Sequence, residues 1–413
     1  MADTILNIKD AAGIIAEAAA GMFADNLQFC KSIDNVNAKE FSGKNGYKAG
    51  DTIYIAKPTR FVEYTGGFDI TSQIQDVKEE KVALALDITS DVSFDFDSTE
   101  MATKVGIENV IRDFIGPAVN AMSSGIEQRM LTKATKAVYN NVGTAGANSF
   151  LTSDVLAAKV KMDQFLAPKD NNRYLLMNSA SGALAVGARS SFFNDQAALA
   201  KQYATGTIGK ADGFNWMENE LLYSHTNGND VVFEVRTTVA VEGQATLVVE
   251  ALTTTTGTVK AGTNFTIGAV YAVHPVTFAT LPALQQFTVT ADATADASGY
   301  ATLSISPAFY TSTSTSLQNI SAFPVDGAAI TPVGAASTAY TQNLAFHKSA
   351  FRMCSVPLVL PTNAEFAEQR TVNGMTIAIV RDWDQLKRRM ITRLDFLGGI
   401  VADRPEWACR LTS

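Results

Sequence analysis

Hydrophobic residues recur at helical spacing in two parts of the chain. Between residues 10 and 32 they predict a helical N-terminal arm. A longer series between 104 and 142 predicts the main helical segment. Gly116–Pro117 should split this segment, because proline is tolerated in the first turn of a helix and disrupts a helix interior. We expect a long second helix that starts at Pro117 and ends at Gly143, a natural terminator.

Period-two alternation predicts strands near both ends of the chain. Residues 52–55 open a strand, and residues 92–97 alternate strictly between apolar and polar side chains. Residues 375–379 and 391–397 alternate in the same way. We therefore expect one buried and one charged face on residues 92–97, and two strands of a core sheet near the C-terminus.

Residues 150–222 combine helical and strand patterns. Ser153 is placed to cap a helix that ends before Pro168, and residues 174–177 have the composition of a short buried strand. Glycines between 206 and 213 indicate a loop. This part of the chain is typical of an α+β domain.

The composition changes between residues 226 and 341. Arg236 and Lys260 are the only basic residues there, while threonine, serine, alanine and valine dominate. Several runs are rich in β-branched residues and separated by turn residues. These runs cover residues 231–235, 246–252, 287–290 and 302–305. The pattern predicts an independent β-barrel or sandwich interrupting a host fold that resumes at Phe346.

Charge and cysteine content restrict the class of protein. The chain has 33 Lys and Arg against 41 Asp and Glu, and its pI is near 5.1, which argues against a surface built to grip phosphates. Three widely spaced cysteines fit a reducing compartment. The first residues lack the pattern of a signal peptide, and no apolar run approaches a membrane span. We therefore expect a cytoplasmic protein that does not contact membranes.

No set of residues in the sequence requires catalysis. His225, His274 and His347 share no ligand-like spacing, and no nucleophile elbow is present. We therefore predict no catalytic, cofactor or metal site, and no enzyme activity. Lysines in the strand-rich region, among them Lys57, Lys78 and Lys81, suit either isopeptide links to a neighbouring subunit or simple solvation of an extended edge.

The C-terminal stretch from Phe346 to Ser413 resembles a known family. The resemblance begins at Phe346-His347-Lys348-Ser349-Ala350-Phe351 and continues through Gly374-Met375-Thr376 and Arg393-Leu394-Asp395-Phe396-Leu397-Gly398. A second block runs from Gly50 to Phe61, and a weaker third from Gly206 to Phe214. These blocks resemble coat proteins of short-tailed phages of the Salmonella type, whose fold was first seen in phage Hong Kong 97. Two departures are Ser349, where the family often has an acidic residue, and Gly398, where it often has an aromatic one.

The resemblance implies an α+β capsid fold of the Hong Kong 97 type with an inserted all-β barrel or sandwich. It also implies that the chain is divided into seven consecutive parts. The expected parts are an N-terminal helical arm (1–44), an extension loop with long strands (45–100), the spine helix of a peripheral domain (101–142), a first part of an axial domain (143–225), the inserted β domain (226–341), a second axial part (342–383) and the C-terminal strands of the peripheral domain (384–413).

The resemblance further implies a major capsid protein that assembles as hexamers and pentamers into the icosahedral shell of a double-stranded DNA phage. Expected partners are other copies of the chain, a scaffolding protein, a portal protein, decoration proteins and packaged DNA held without specificity. The charged residues of the extension loop and last strands are candidates for contact between subunits: Lys57, Arg60, Glu63, Lys78, Lys81, Arg381, Asp382, Arg388, Arg389 and Arg393. The alternative is a secreted adhesin or surface-layer protein, suggested by the threonine-rich region and the negative charge.

Overall fold

The computed structural model describes residues 17–23, 26–35, 49–57, 61, 74, 80–97, 115–147, 152–189, 209–312, 317–386 and 389–412. Helical residues at 17–23 precede four helices, which are α1 (Gln28–Lys31), α2 (Gly116–Ala137), α3 (Thr152–Gln164) and α4 (Ser179–Arg189). None of the described helices is long and apolar enough to cross a membrane.

Strands make up most of the remaining described structure. In chain order they are β1 (Asp34–Asn35), β2 (Thr52–Lys57), β3 (Glu80–Ala85), β4 (Ile88–Asp97), β5 (Asn141–Val142), β6 (Arg173–Met177), β7 (Lys210–Ala211), β8 (Phe214–Glu218), β9 (Ser224–Thr226), β10 (Phe233–Val235), β11 (Gln244–Glu250), β12 (Thr258–Val259), β13 (Asn264–Val273), β14 (Thr280–Val289), β15 (Ala293–Thr294), β16 (Ala301–Phe309), β17 (Ala329–Pro332), β18 (Ala339–His347), β19 (Phe351–Ser355), β20 (Phe366–Val372), β21 (Met375–Asp384), β22 (Arg389–Ala402) and β23 (Ala408–Thr412). The predicted α+β class is confirmed.

The first of two compact units contains residues 1–55, 82–131 and 351–401. Its sheet has the order β1-β19-β22-β21-β20, and β4 pairs with β22. The predicted C-terminal strands are confirmed in β21 and β22, and the alternating strand is confirmed in β4. In β22 the buried side chains of Leu394 and Phe396 alternate with exposed Arg393, as a half-buried strand requires. Phe396 packs against Phe23 of the N-terminal helical segment, with ring centroids 5.6 Å apart.

Helix α2 begins where the sequence predicts, with Pro117 in its first turn. Its buried positions Val119, Met122, Ile126 and Met130 follow helical spacing. The predicted end at Gly143 is wrong, since the helix stops at Ala137 and β5 intervenes. Gly143 instead has φ of +91°, and a Cβ there would overlap the backbone carbonyl oxygen of Thr412. Glycine is therefore required there by the close approach of β23 and the left-handed backbone.

The second unit contains residues 56–81, 132–350 and 402–413. Its main sheet has the order β5-β23-β18-β6-β8-β7, with β9 paired to β18. Helices α3 and α4 contribute Val155, Met162 and Ala185 to the core over this sheet. The predicted strand at 174–177 is confirmed in β6. Ser153 lies inside the first turn of α3, which begins one residue earlier, so it does not cap this helix.

Within the second unit, six strands close a barrel in the order β10-β11-β16-β14-β13-β17. The predicted inserted β domain is thereby confirmed. Its core includes Phe265, Phe287 and Phe309, and Phe287 lies 5.7 Å and 5.1 Å from the other two rings. The sequence did not predict β13 as a strand because Gly268 and the left-handed Ala269 interrupt its alternation, and the pairing register with β14 shifts between Thr266 and Tyr271.

The compact units differ from the predicted domains near the C-terminus. Residues 351–383, which we expected in the axial domain, lie in the first unit because β19, β20 and β21 share a sheet with β22. Residues 402–413, expected in the peripheral domain, lie in the second unit because β23 pairs with β18 and β5. Alternation along a strand predicts its two faces and carries no information about its partner strand, which explains the difference.

Candidate functional site

One face of the first unit's sheet is exposed and charged. The pairing register places Asp95 of β4, Ile391 of β22 and Asp382 of β21 in one cross-strand row. Residues directly opposite each other in antiparallel strands point to the same face, so neighbouring rows add further charged side chains. This charged face carries Asp91, Asp95, Asp382, Asp384, Asp395, Arg389 and Arg393. Among the side chains that the structure describes on this face, five carboxylates outnumber two guanidinium groups, which makes it acidic.

The ion pairs within the charged face neutralise it only in part. The Nη1 atom of Arg389 lies 2.6 Å from Oδ2 of Asp95, and both side chains are about half exposed at 51% and 46%. Arg393 pairs with Asp395 through Nε and Oδ1, also at 2.6 Å. Pairs this exposed contribute about 0–1 kcal/mol each to stability. Their main effect is to hold both arginines in place and leave Asp91 and Asp382 at the surface.

A groove of about 470 Å³ lies on the charged face. Its lining residues include Asp91, Val380 and Arg393 of the charged face and the segment 358–361. Val359 in that segment is 71% exposed. Both apolar and charged side chains therefore line the groove.

The structure brings together some of the predicted contact residues and separates others. Asp382, Arg389 and Arg393 lie on the charged face, whereas Arg381 lies opposite the buried Thr392 on the other face of the sheet. Arg60, Glu63, Lys78 and Arg388 lie outside the described residues. Lys57 ends β2 and is half-buried, and Lys81 is exposed in β3. Strands β2 and β3 form a two-stranded sheet, so these two lysines belong to one ribbon.

A second site, which the sequence did not predict, joins the barrel to its host within the second unit. Its centre is Arg410 of β23, whose side chain is 1% exposed. Its Nη1 donates to the carbonyl oxygen of Gly262 at 2.6 Å, and its Nη2 donates to that of Lys136 at 2.9 Å and to Oγ1 of Thr288 at 3.2 Å. Arg410 thus links the barrel, the end of α2 and the last strand.

Barrel side chains also bond the backbone that follows α2. The Gln286 side chain accepts from the Asn141 amide at 2.7 Å and donates to the Asn141 carbonyl at 2.9 Å. Nδ2 of Asn264 donates to the Tyr139 carbonyl at 3.0 Å. Lys161 of α3 also donates to Gln286. We call this set of contacts the barrel seat, and it consists of Lys136, Tyr139, Asn141, Lys161, Asn264, Gln286, Thr288 and Arg410.

His225 lies beside the barrel seat and is held as a neutral ring. Its Nδ1 is 3.0 Å from the Tyr223 hydroxyl, and its Nε2 is 3.1 Å from Oγ1 of Thr263. Burial, together with the charges of Arg410 and Lys136, lowers the pKa of His225 to about 4. Burial also lowers the pKa of Arg410 to about 9, so the guanidinium is charged at neutral pH. Protonating His225 would add a second buried cation next to it.

One signal in the sequence could have identified the barrel seat. Arg410 stands between Cys409 and Leu411 in a strand that is buried along its whole length. Arginine is almost never fully buried unless it is paired, so an arginine in such a run marks a specific contact. The partners, however, are mainly backbone carbonyls, which no residue pattern reveals.

The remaining histidine and cysteine chemistry is structural. Nε2 of His347 lies 3.0 Å from Asp170, and Nδ1 of the same ring accepts from the Ser349 amide at 3.2 Å. Cys30, Cys354 and Cys409 are buried. Over the part of the chain that the structure describes, no group of three or more His, Cys, Asp or Glu side chains could hold a metal ion.

Comparison with known proteins identifies one family. The family model described as P22 coat protein, gene protein 5, matches residues 6–411. A comparison with curated proteins finds no match. Among solved structures, the chain resembles one from Mycobacterium phage Che8, with 11% identity, a TM-score of 0.46, and 94% of this chain and 90% of that chain covered. It also resembles the capsid of an empty GTA particle, with 10% identity, a TM-score of 0.44, and coverage of 94% and 90%. The CUS-3 coat protein I-domain is 23% identical, with a TM-score of 0.19, and covers 25% of this chain and 97% of that chain.

Because these TM-scores lie below 0.5, the assignment rests on the family model, which spans nearly the whole chain. The resemblance seen in the stretch from Phe346 to Ser413 is thereby confirmed. The protein is a structural subunit of the virion capsid that self-associates, and not an enzyme. The chain belongs to the P22 coat protein family and is a major capsid protein of a tailed bacteriophage.

Proposed function

We propose that copies of the chain assemble in the cytoplasm of the bacterial host as hexamers and pentamers of an icosahedral shell that encloses the double-stranded DNA genome. The observation that carries this proposal is the match of residues 6–411 to the coat protein family. The net charge of −8 fits a container that contacts packaged DNA without specificity, because it offers few surplus cations to phosphates.

Within the shell, we assign the acidic charged face to contact with a neighbouring copy. The neighbour would supply its β2–β3 ribbon, which carries Lys57 and Lys81. Arg60, Glu63 and Lys78 belong to the same extension loop and complete the proposed contact. Complementary charges favour correct encounters and disfavour wrong ones, and each contact stays weak enough for misplaced subunits to leave. The groove beside Asp91 and Arg393 would take part of the ribbon.

We extend the proposal to the other proteins of the shell and to the segments of the chain that adjust within it. A scaffolding protein would guide assembly, a portal protein would occupy one vertex, and decoration proteins would bind the outer surface. The N-terminal arm, the extension loop and the glycine loop at 206–213 would adjust between hexamers and pentamers while α2 stays rigid. The inserted barrel would stabilise the subunit.

A charge exchange between the ribbon and the charged face tests the proposed contact. Lys81→Glu and Asp91→Lys each place like charges at the contact, and the double variant restores opposite charges. Lys260→Glu, on an exposed lysine of the inserted barrel, is the matched control. The variants are assembled with the scaffolding protein, and closed shells are counted by negative-stain microscopy and sedimentation.

We expect each single variant to form fewer shells, the double variant to recover them, and the control to assemble normally. The losses should shrink at high salt, because ions screen exposed charges within about 8–10 Å. Normal assembly of both single variants would reject the ribbon contact and leave the capsid assignment intact. Failure of the unchanged chain to form closed shells with its scaffolding protein would count against the assembly proposal itself.

A further inference from the structure

Helix α2 is not followed directly by a glycine, and of its last carbonyl groups that of Thr135 accepts from the Val138 amide at 3.1 Å in a tightened final turn. The last four carbonyl groups of any helix have no partner within the helix. Many helices solve this with a glycine in the left-handed conformation just after the last turn. Here Val138, Tyr139 and Asn140 follow Ala137, and all three are buried. Backbone groups in such a place must find partners elsewhere in the protein.

The barrel seat supplies those partners from distant parts of the chain. The Lys136 carbonyl accepts from Arg410 at 2.9 Å and from the Thr288 hydroxyl at 3.2 Å. The Tyr139 carbonyl accepts from Asn264 at 3.0 Å. Both backbone groups of Asn141 bond the single amide of Gln286. Three of the four side chains involved belong to the barrel strands β13 and β14.

The positive charge of Arg410 also suits a residue that binds the carbonyl end of a helix. Its guanidinium donates to two carbonyl oxygens and one hydroxyl, which are neutral acceptors. The C-terminus of a helix carries a partial negative charge of about half an electron, which stabilises a cation placed there. Lys136 lies in the last turn of the 22-residue α2, so Arg410 sits where this field is strongest.

The barrel loop at Gly262 lies so close to the end of α2 that the residue type at this position matters. Gly262, whose carbonyl accepts from Arg410, has φ of +97°. A Cβ at this position would lie 3.0 Å from Cγ of Lys136 and 3.3 Å from Nδ1 of His225. The left-handed backbone and these tight contacts therefore both favour glycine where the barrel loop meets the end of α2.

From these contacts we infer that the inserted barrel is the C-terminal cap of the long helix. The last turn of α2 and the segment through β5 hold their conformation because the barrel is docked on the seat. Docking thereby fixes where α2 ends and which backbone groups β5 presents to β23. A residue such as Gln286 acts on the host fold by positioning Asn141, which pairs with Arg410 in the β5–β23 register.

Hydrogen exchange of the full-length chain, followed by mass spectrometry, tests this inference. Gln286→Ala removes both bonds to Asn141, and Arg410→Met removes the charged bonds while keeping an apolar side chain of similar length. Arg236→Met is the matched control, because Arg236 stacks 3.5 Å over the Tyr300 ring and pairs with Glu250 within the barrel, away from the seat. Peptides covering 132–147, the barrel strands β11 and β16, and the middle of α2 are compared.

We expect exchange in peptides 132–147 to become about 10-fold faster in Gln286→Ala and about 10- to 100-fold faster in Arg410→Met, the range for losing neutral and charged hydrogen bonds. Strands β11 and β16 and the middle of α2 should keep their exchange rates in Gln286→Ala. Gln286→Glu keeps the acceptor for the Asn141 amide and should restore part of the protection.

Two results would overturn the inference. Unchanged exchange at 132–147 in Gln286→Ala would mean that the helix end does not depend on the barrel. Equal acceleration in 132–147 and in β11 and β16 would mean that the variants weaken the whole unit without a local capping effect. Because Gln286 is half-buried and replaced by a smaller residue, this variant remains informative if Arg410→Met fails to fold.

Discussion

As pH falls, protonation of His225 should lower the free energy of unfolding before protonation of the carboxylates does. The unfolded chain binds a proton at His225 with a pKa near 6.5, whereas the folded protein does so only near pH 4. Between these values the unfolded state holds more protons, so stability falls as pH falls. The contribution of His225 is fully present above the unfolded pKa and fully lost below the folded one.

The magnitude follows from the two pKa values. A shift of 2.5 pKa units corresponds to a total of about 3.4 kcal/mol at 1.36 kcal/mol per unit. Integrating the linkage relation to pH 5 gives a loss of about 2 kcal/mol relative to neutral pH. Burial raises the pKa of Asp163 but is outweighed by hydrogen bonds and charges from Lys169 and Arg173, and the Ala261 amide and Lys260 lower the pKa of Asp292 against burial. Carboxylates whose pKa is lowered by folding lose their contribution mainly below their unfolded pKa values of about 4, so histidine dominates the window from pH 7.5 to 5.

Urea unfolding of the full-length monomer at pH 7.5 and 5.0, followed by circular dichroism, measures this loss. His225→Gln should abolish most of the difference, because glutamine can still bond Thr263 and does not titrate. His274→Gln is the matched control, since His274 lies in the barrel at a turn and accepts from the amides of Val276 and Thr277. Equal acid sensitivity of His225→Gln and the unchanged protein would refute the argument.

Three further predictions concern stability and use the same unfolding assay, with proteolysis where stated. Replacing the buried Glu127 with alanine removes the acceptor of the Phe29 amide, 2.9 Å away, so we expect a loss of about 1–3 kcal/mol and faster proteolysis of the N-terminal arm, while Glu127→Gln should behave nearly as the unchanged protein. Leu303→Ala should cost about 2–5 kcal/mol, because Leu303 is fully buried in the barrel core; a loss below 1 kcal/mol would contradict a close-packed core. Gly143→Ala should abolish or sharply reduce folded yield, because its Cβ overlaps Thr412; a normal yield would show that β23 can move away.

Several elements could be predicted because local patterns decide them. Pro117 fixes the start of α2, and alternation fixes β4, β21 and β22. The loss of basic residues and rise in threonine after 226 marks the barrel before any strand is assigned. Strand β13 escaped prediction because Gly268 and Ala269 break its period, and the end of α2 escaped because its cap comes from residues more than a hundred positions away.

In the candidate sites too, local patterns could be predicted from the sequence, whereas features that depend on distant residues could not. The charged face could be predicted in part, since Asp382, Arg389 and Arg393 are conspicuous in an otherwise alternating stretch. Its acidic character depends on the pairing of β4 with β22, which brings Asp91 and Asp95 beside residues 300 positions later. Arg381 lies on the other face of the sheet from Asp382, because adjacent residues in a strand point to opposite faces.

The pairing of β9 with β18 brings together the two points where the chain passes between the barrel and the rest of the fold. Thr226 and Ala339 are paired neighbours on β9 and β18, so the barrel leaves the host within about 5 Å of where it enters. A two-residue turn could close that gap, and a single genetic event could add or delete the whole domain without disturbing the host's topology. Deleting the barrel would nevertheless expose the end of α2 and leave the buried Arg410 guanidinium without its barrel acceptors, Gly262 and Thr288. Without the barrel, the Lys136 carbonyl and the backbone of Asn141 would need other partners, so the insert is now part of the structure that its host depends on.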